Sequence, residues 1–123
     1  MNRPSKKELF NKIRAAKNAV THERIEIIEA EVIAADAIEL DYDVETELKT
    51  ILENLLSHIT PDDYAGSRPP QKSYESKIQG LEIFAFVLKP SCFDCSVYLK
   101  FALTDDTFWL VSFHKNRLKK EAP

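Results

Sequence analysis

Residues 95–114 read CSVYLKFALTDDTFWLVSFH, and their pattern is the strongest indication of the fold class. Apolar and polar side chains alternate on both sides of its centre, a period of two that is typical of β-strands with one buried face. The polar residues TDDT at 104–107 are turn formers, so the stretch predicts an antiparallel hairpin. A further apolar run at 81–88 predicts a preceding strand, and we expect residues 80–114 to form an antiparallel meander.

The first 66 residues show helical spacing instead. Ser5 and Glu8 have the spacing of a capping box, and apolar residues then recur every three or four positions, which predicts a helix over 6–19. One continuous apolar stripe predicts a second helix over 44–58. Between these helices, residues 24–28 favour a short strand that is followed by a short helix.

Helices that precede a meander indicate an α+β fold. We expect a single domain over 1–123, in which residues 1–66 are mainly helical and include one short strand. The N-terminal helices are expected to pack on one face of a C-terminal antiparallel sheet of three or four strands. Residues 115–123, after the last strand, are expected to form a basic tail.

The composition excludes several classes of protein. With 123 residues, of which 44% are hydrophobic and 30% charged, the chain can build one core without a disulfide or a metal. Two glycines leave little room for a glycine-rich phosphate loop, and no apolar run approaches the ~20 residues of a membrane span. Because the N-terminus lacks the apolar segment of a secretion signal, we expect a cytoplasmic protein without membrane contact.

The net charge of −3 conceals a segregation of charge along the chain. Residues 1–20 carry 6 basic and 1 acidic side chains, residues 21–66 carry 2 and 13, and residues 67–123 carry 9 and 6. A surface of one sign attracts a partner of the opposite sign whatever the total charge is. The net charge therefore does not exclude RNA as a partner, although the acidic block can also be read as an ordinary solvated surface.

The alternation in the hairpin predicts its register. The apolar side chains of both strands meet on the core face if Leu103 pairs with Trp109 and Phe101 with Val111. This pairing needs a three-residue or bulged turn. A two-residue Asp105-Asp106 loop is the alternative, and it would shift the pairing and move polar residues of the last strand into the core.

The favoured register gathers reactive side chains on the opposite face, with Tyr98 opposite His114 and Lys100 beside them. Cleavage of RNA without a metal needs a base for the 2′-hydroxyl, an acid for the leaving oxygen and a cation for the phosphate. We therefore predict Tyr98, His114 and Lys100 as catalytic residues, with Arg117 and Lys115 as phosphate ligands. The alternative is a solvated sheet face that carries ordinary polar side chains.

We expect no metal or cofactor. Cys92 and Cys95 form one CxxC pair, which supplies only two of the four ligands that zinc usually takes, and the three histidines show no ligand spacing. A redox pair is typically found at a helix N-terminus, whereas this pair precedes a strand. Structural or incidental thiols are the favoured interpretation, with a regulatory disulfide and a metal site as alternatives.

Two stretches resemble the MqsR family of mRNA-cleaving toxins, which belongs to the wider RelE-like group. Residues 35–43 (ADAIELDYD) are similar to the family's ADELGLDFD turn. VYLK at 97–100, together with LVSFH at 110–114, is similar to the family's VYLK…IVSF strands. The resemblance extends loosely to residues 56–67, where Asp62-Asp63-Tyr64 is similar to an acidic-aromatic motif, and it covers about half of the chain.

The resemblance implies a helix-bearing antiparallel sheet, ribosome-independent cleavage of mRNA, and an antitoxin protein that binds the acidic block or a sheet edge. The family's strand tyrosine falls on Tyr98, and its basic residue after the SF pair falls on His114. Ala65 stands where the family has a catalytic lysine, and Arg68 is the nearby substitute, which we expect to bind the RNA phosphate together with Arg117 and Lys115. The family's glutamine corresponds to Gln71 or Gln79.

Two hypotheses follow. The leading one is a metal-independent endoribonuclease that cleaves single-stranded RNA by acid–base catalysis, similar to toxin mRNA interferases. The alternative is a non-catalytic α+β interaction module whose acidic helical surface binds a basic protein. The partners that these hypotheses allow are RNA, an antitoxin protein and a second copy of the chain.

Overall fold

The computed structural model describes residues 3–117. Three helices precede the sheet's main strands, with one short strand after the first helix, and two 3₁₀ turns lie at Pro61–Asp63 and Ser76–Ile78. In chain order the elements are α1 (Lys6–Thr21), β1 (Ile25–Ile27), α2 (Ala30–Leu40), α3 (Val44–His58), β2 (Phe84–Leu88), β3 (Val97–Thr104) and β4 (Thr107–Lys115). The predicted α+β class is confirmed, and residues 118–123 of the predicted basic tail lie outside the described residues.

A side-chain cap explains where α1 begins. The Ser5 hydroxyl accepts a hydrogen bond from the Glu8 N–H at 3.0 Å, as the capping pattern predicts, while the Glu8 carboxylate pairs with Arg3. At the start of α3, the Asp43 N–H donates to the Glu47 carboxylate at 2.8 Å, and the Asp43 carboxylate accepts from the Thr46 hydroxyl at 2.6 Å. The apolar faces of α1 and α3 turn to the core and to each other.

The sheet has the strand order β1-β4-β3-β2. The pairs β2–β3 and β3–β4 are antiparallel, as expected for the meander, but β1 pairs with β4 in parallel. The sheet is therefore mixed rather than purely antiparallel. A three-residue strand has no local signal for its direction, because its partner lies more than 80 positions away in the chain.

The helices cover one face of the sheet, as predicted. Five phenylalanines and two leucines of the strands form the centre of the core with the apolar stripes of α1 and α3: Phe84, Phe86, Leu99, Phe101, Phe108, Leu110 and Phe113. The opposite face, here called the open face, carries Tyr98, Lys100, Ser112 and His114, which are all partly exposed. No helix among residues 3–117 is long and apolar enough to cross a membrane.

The predicted hairpin register is correct from Tyr98 to Lys100 and wrong from Phe101 to the turn. Tyr98 pairs with His114, and Lys100 with Ser112, as predicted. Beyond Lys100 the pairing shifts by one residue, and the strands join through the two-residue Asp105-Asp106 loop. The predicted pairs Leu103–Trp109 and Phe101–Val111 are therefore wrong, and Phe101 pairs with Leu110 instead.

A β-bulge explains how both registers occur in one hairpin. The fully buried residues of β4 are Phe108, Leu110 and Phe113, so one extra residue stands between the last two. A bulge accommodates such an extra residue and restores the alternation on its far side. The two-residue loop turns Trp109 from the predicted core face to the open face. Because the bulge restores the alternation beyond it, His114 remains on the open face, as predicted.

An irregular segment lines the β2 edge of the sheet. The Ala65 N–H donates to the Ala85 carbonyl at 2.8 Å, and the Ile83 N–H donates to the Gln71 carbonyl at 2.8 Å. Because residues 81–83 bond to this segment, β2 begins at Phe84 rather than at the predicted residue 81. The segment brings Gln71 to the border of the open face.

Tyr42 offers a test of the packing between the helices and the sheet. Its ring contacts Phe113 and Phe93, and its hydroxyl is buried without a hydrogen-bond partner among residues 3–117. Burial and the charge of Asp36 raise the pKa of Tyr42 to about 12. Since an unpaired buried hydroxyl costs about 1–3 kcal/mol, we expect Tyr42→Phe to increase the free energy of unfolding at pH 7 by about 1 kcal/mol.

The gain from Tyr42→Phe is expected to grow under alkaline conditions. In the unfolded chain Tyr42 ionises near its ordinary pKa, whereas the folded protein keeps it protonated up to about pH 12. The wild type therefore loses stability as the pH rises from about 10 towards 12, and the phenylalanine variant lacks this loss. Urea unfolding at pH 7 and between about pH 10 and 12 measures the difference in the free energy of unfolding between wild type and Tyr42→Phe. Tyr74→Phe is the control, because Tyr74 is 90% exposed. Equal stability of Tyr42→Phe and wild type at both pH values would contradict the prediction.

Candidate functional site

Tyr98, Lys100 and His114 form a cluster on the open face. The rings of Tyr98 and His114 stack with centroids 5.1 Å apart and an interplanar angle of 20°. The Lys100 Nζ lies 5.9 Å from the centroid of the Tyr98 ring. Strand alternation puts Tyr98 and Lys100 on one face, and the antiparallel pairing with β4 brings His114 to it, so the structure joins all three predicted catalytic residues.

A hydrogen bond fixes the orientation of the His114 ring. The Nδ1 atom lies 2.6 Å from the Lys115 carbonyl oxygen. A carbonyl oxygen can only accept, so Nδ1 carries the proton in this contact. The neutral ring then has its lone pair on Nε2, which can accept a proton from a substrate.

Tyr98 is suited to the opposite role. Burial raises the pKa of its phenol above the ordinary tyrosine value. The charged phenolate is disfavoured where solvent is excluded, so Tyr98 holds its proton at neutral pH. The stacked pair thus combines a proton acceptor and a proton donor.

A cleft of about 130 Å³ adjoins the cluster. Its walls come from residues 65–71 of the irregular segment, from Ile83 just before β2 and from three strand positions: Ala65, Gly66, Ser67, Gln71, Ile83, Ala85, Tyr98 and Lys100. Of the two candidate glutamines, Gln71 lines this cleft with Tyr98 and Lys100, whereas Gln79 does not line it. The pairing of the edge segment with residues 81–85 creates this proximity, and no local pattern predicts it.

Lys100 supplies the positive charge of the cleft. Among residues 3–117 its ammonium takes part in no ion pair with a carboxylate. An ammonium without a carboxylate partner can hold a phosphate by charge and by hydrogen bonds. The cluster and the cleft together can bind an anion and exchange protons with it.

The three basic residues that were predicted to bind phosphate, Arg117, Lys115 and Arg68, do not line the cleft. Arg117 forms ion pairs with Asp36 at 3.4 Å and Glu39 at 3.5 Å on α2, so its charge is used on the helical side of the sheet. Lys115 is the last residue of β4, and it follows His114 on the alternate side of the strand.

Arg68 does not replace the lysine that the resemblance implies. Its guanidinium lies 5.0 Å from the centroid of the Tyr64 ring and donates to the Pro4 carbonyl at 3.1 Å. These contacts hold it at the start of α1, outside the residues that line the cleft. Ala65 itself lines the cleft, so the position of the family's lysine is in the site but has no charge.

Trp109 is a residue of the open face that sequence reasoning missed. Its Nε1–H donates to the Thr104 hydroxyl at 3.0 Å, and it pairs with Ala102 across the hairpin. The uneven spacing of the apolar residues in β4 was the available signal, because a strict period of two cannot bury Phe108, Leu110 and Phe113 together.

The remaining candidate ligands form no second site. Cys92 and Cys95 are free thiols, and the Cys92 Sγ lies 3.8 Å from the side-chain oxygen of Asn54 on α3. Burial raises the pKa of the Cys92 thiol, which disfavours the reactive thiolate. Within residues 3–117, no three His, Cys, Asp or Glu side chains are grouped closely enough to hold a metal ion.

Comparison with models of known protein families finds no match for this chain, and comparison with curated proteins finds none either.

Proposed function

We propose that the protein is a metal-independent endoribonuclease that cleaves single-stranded RNA, as in the MqsR-like toxins that its hairpin resembles. The observation that carries the proposal is the stack of Tyr98 on His114, with Lys100 beside it and the cleft along its border. A base, an acid and a cation within one cluster are the groups that phosphodiester transfer needs.

The reaction is a transfer within the RNA strand. The Nε2 atom of His114 takes the proton of the 2′-hydroxyl, and the 2′-oxygen forms a bond to the phosphorus. The bond from phosphorus to the 5′-oxygen breaks, and Tyr98 donates its proton to that oxygen. The products are a 2′,3′-cyclic phosphate and a 5′-hydroxyl, so all protons and electrons are accounted for without a co-reactant.

Lys100 and Gln71 bind the phosphate that reacts. The ammonium offsets the charge that develops on the phosphate oxygens, an effect that often dominates the rate in such sites. The Gln71 amide can donate to a phosphate oxygen or accept from the ribose, since it has both kinds of group.

The second candidate function is a protein-interaction module, and the outer face of α2 favours it. Ile38 is 81% exposed and Val32 is 47% exposed, and Glu31 and Glu39 of the same helix are exposed as well. Exposed apolar side chains interspersed with carboxylates fit a basic protein that also carries apolar side chains, such as an antitoxin. This surface lies on the helical side of the sheet, so binding there would leave the open face free.

Incubation of the purified protein with single-stranded RNA in EDTA tests the leading proposal. We expect cleavage products that end in 2′,3′-cyclic phosphate. Tyr98→Phe keeps the stacked ring but removes the proton donor, and we expect it to lower the rate by about 10²–10⁴-fold. Because burial raises the pKa of Tyr98, the wild-type rate should fall only at a pH above the ordinary tyrosine range.

Tyr74→Phe is the matched control, since Tyr74 lies in an exposed loop and should leave the rate unchanged. Intact RNA after incubation with the folded wild type, together with no growth arrest on expression, would reject the ribonuclease and favour the interaction module.

A further inference from the structure

Trp109 stands on the open face next to the proposed catalytic cluster. It is opposite Ala102 on β3, and Lys100 is two residues from Ala102 on the same strand. A diagonal pair of this kind is separated by about 7–8 Å, which long and aromatic side chains can bridge. The Lys100 ammonium leans towards Tyr98 and the indole towards Thr104, and both side chains lie along the same strip of the open face, where one bound strand of RNA can contact both.

The indole is held in place from one edge. Its Nε1–H bonds to Thr104, so the ring loses little freedom when a ligand packs on its surface. A side chain that is partly exposed, aromatic and already oriented has the properties of a stacking surface for an unpaired nucleobase.

The charges of Glu26 and Lys100, on the two strands that flank Trp109, determine on which side of the indole the sugar-phosphate chain of a bound RNA passes. On β1, Glu26 is opposite Trp109 and is exposed, whereas Ile25 and Ile27 on either side of it pack on the core. A phosphate is repelled by the Glu26 carboxylate and attracted by Lys100, so the sugar-phosphate chain passes on the Lys100 side. The base itself is uncharged and can occupy the space over the indole.

We propose that Trp109 stacks on the nucleobase adjacent to the phosphate held by Lys100, so that the site accepts only unpaired RNA. The inference rests on the proposed ribonuclease function and assigns the residue by which its site selects single-stranded RNA. A base inside a duplex is already stacked on its neighbours, and it cannot reach the indole without unpairing.

The chain contains one tryptophan, so its fluorescence reports on this residue alone. We expect a single-stranded 2′-O-methyl oligonucleotide, which can bind but not react, to quench the fluorescence in a saturable manner. A duplex of the same sequence and an abasic strand of the same length should not quench. The abasic strand keeps the phosphates, so it separates stacking from binding by charge.

Variants of Trp109 separate stacking from folding. Trp109→Leu keeps a bulky apolar side chain without an aromatic surface, and we expect it to bind a labelled single strand roughly 5- to 100-fold more weakly. Trp109→Phe restores an aromatic surface and should recover most of the affinity. Phe10→Leu, at an exposed aromatic residue of α1, is the control and should bind as the wild type does.

The outcomes distinguish this inference from the ribonuclease proposal. Cleavage of RNA without quenching, and with an unchanged KM in Trp109→Leu, would overturn the role of Trp109 and leave the ribonuclease intact. Quenching by single strands without any cleavage would support the stacking surface and reject the catalytic proposal. Equal quenching by duplex and single strand would overturn the preference for unpaired RNA.

Discussion

Replacing His114 with alanine is expected to lower the rate of RNA cleavage by about 10²–10⁴-fold, because the variant has no group to take the proton of the 2′-hydroxyl. The Lys115 carbonyl that orients the ring cannot take over this role, since it is not a useful base. Tyr98 stays in place but loses its stacking partner. Binding of RNA should be affected less than the rate, because Lys100 remains.

Single-turnover cleavage in EDTA measures this effect, and added imidazole provides a sharper test. A free imidazole can occupy the space left by the side chain, and we expect it to restore part of the rate in His114→Ala only. His58→Ala is the control, because His58 is an exposed residue near the end of α3 whose ring bonds to the Asn54 carbonyl. A His114→Ala variant that is folded and cleaves as fast as the wild type would exclude His114 as the base.

The alternation of β3 and β4 predicted part of the proposed catalytic cluster. Side chains at every second position share a face, so Tyr98 and Lys100 are linked by the sequence itself. The pairing of Tyr98 with His114 depends on the hairpin register. This pair was predicted correctly, although the predicted turn was wrong. The bulge made up for the error, since it shifted the pairing by one residue between the turn and Lys100.

The same bulge shows what the sequence pattern could not reveal. Trp109 was expected in the core because strict alternation along the strand puts it on the same side as Val111 and Phe113. The choice was decided by packing, because Phe108 fits among Phe101 and the other core rings and a second aromatic residue beside it must face the other way. Such a choice depends on the volume available in the finished core.

The surroundings of the site depended on long-range contacts. Gln71 reaches the cleft through backbone bonds to residue 83, and Arg117 is drawn to Asp36, 81 positions earlier in the chain. Neither contact has a periodic signal. The helices were predicted more closely, since α3 has the predicted bounds and α1 extends two residues further, because helical periodicity is a local property.

Phe101→Ala is expected to have the largest effect on stability. Phe101 is fully buried at the centre of the sheet, where its ring contacts Phe84, Phe86 and Phe108 with centroids 6.3, 5.9 and 4.9 Å away. Truncation removes the apolar contacts and leaves a cavity that three rigid rings cannot fill. We expect a loss of about 3–5 kcal/mol in the free energy of unfolding, a large part of the total for a domain of this size.

Phe10→Ala makes the same chemical change at a residue that is 52% exposed on α1, so it serves as the control. We expect its free energy of unfolding to stay within about 0.5 kcal/mol of the wild type, because no cavity forms. Urea unfolding of the two variants measures the contrast, and the denaturant midpoint should fall sharply for Phe101→Ala alone. Similar midpoints would mean that Phe101 is not packed in the core, and the bulge that seats it beside Phe108 and carries Trp109 to the open face would then have to be reassigned.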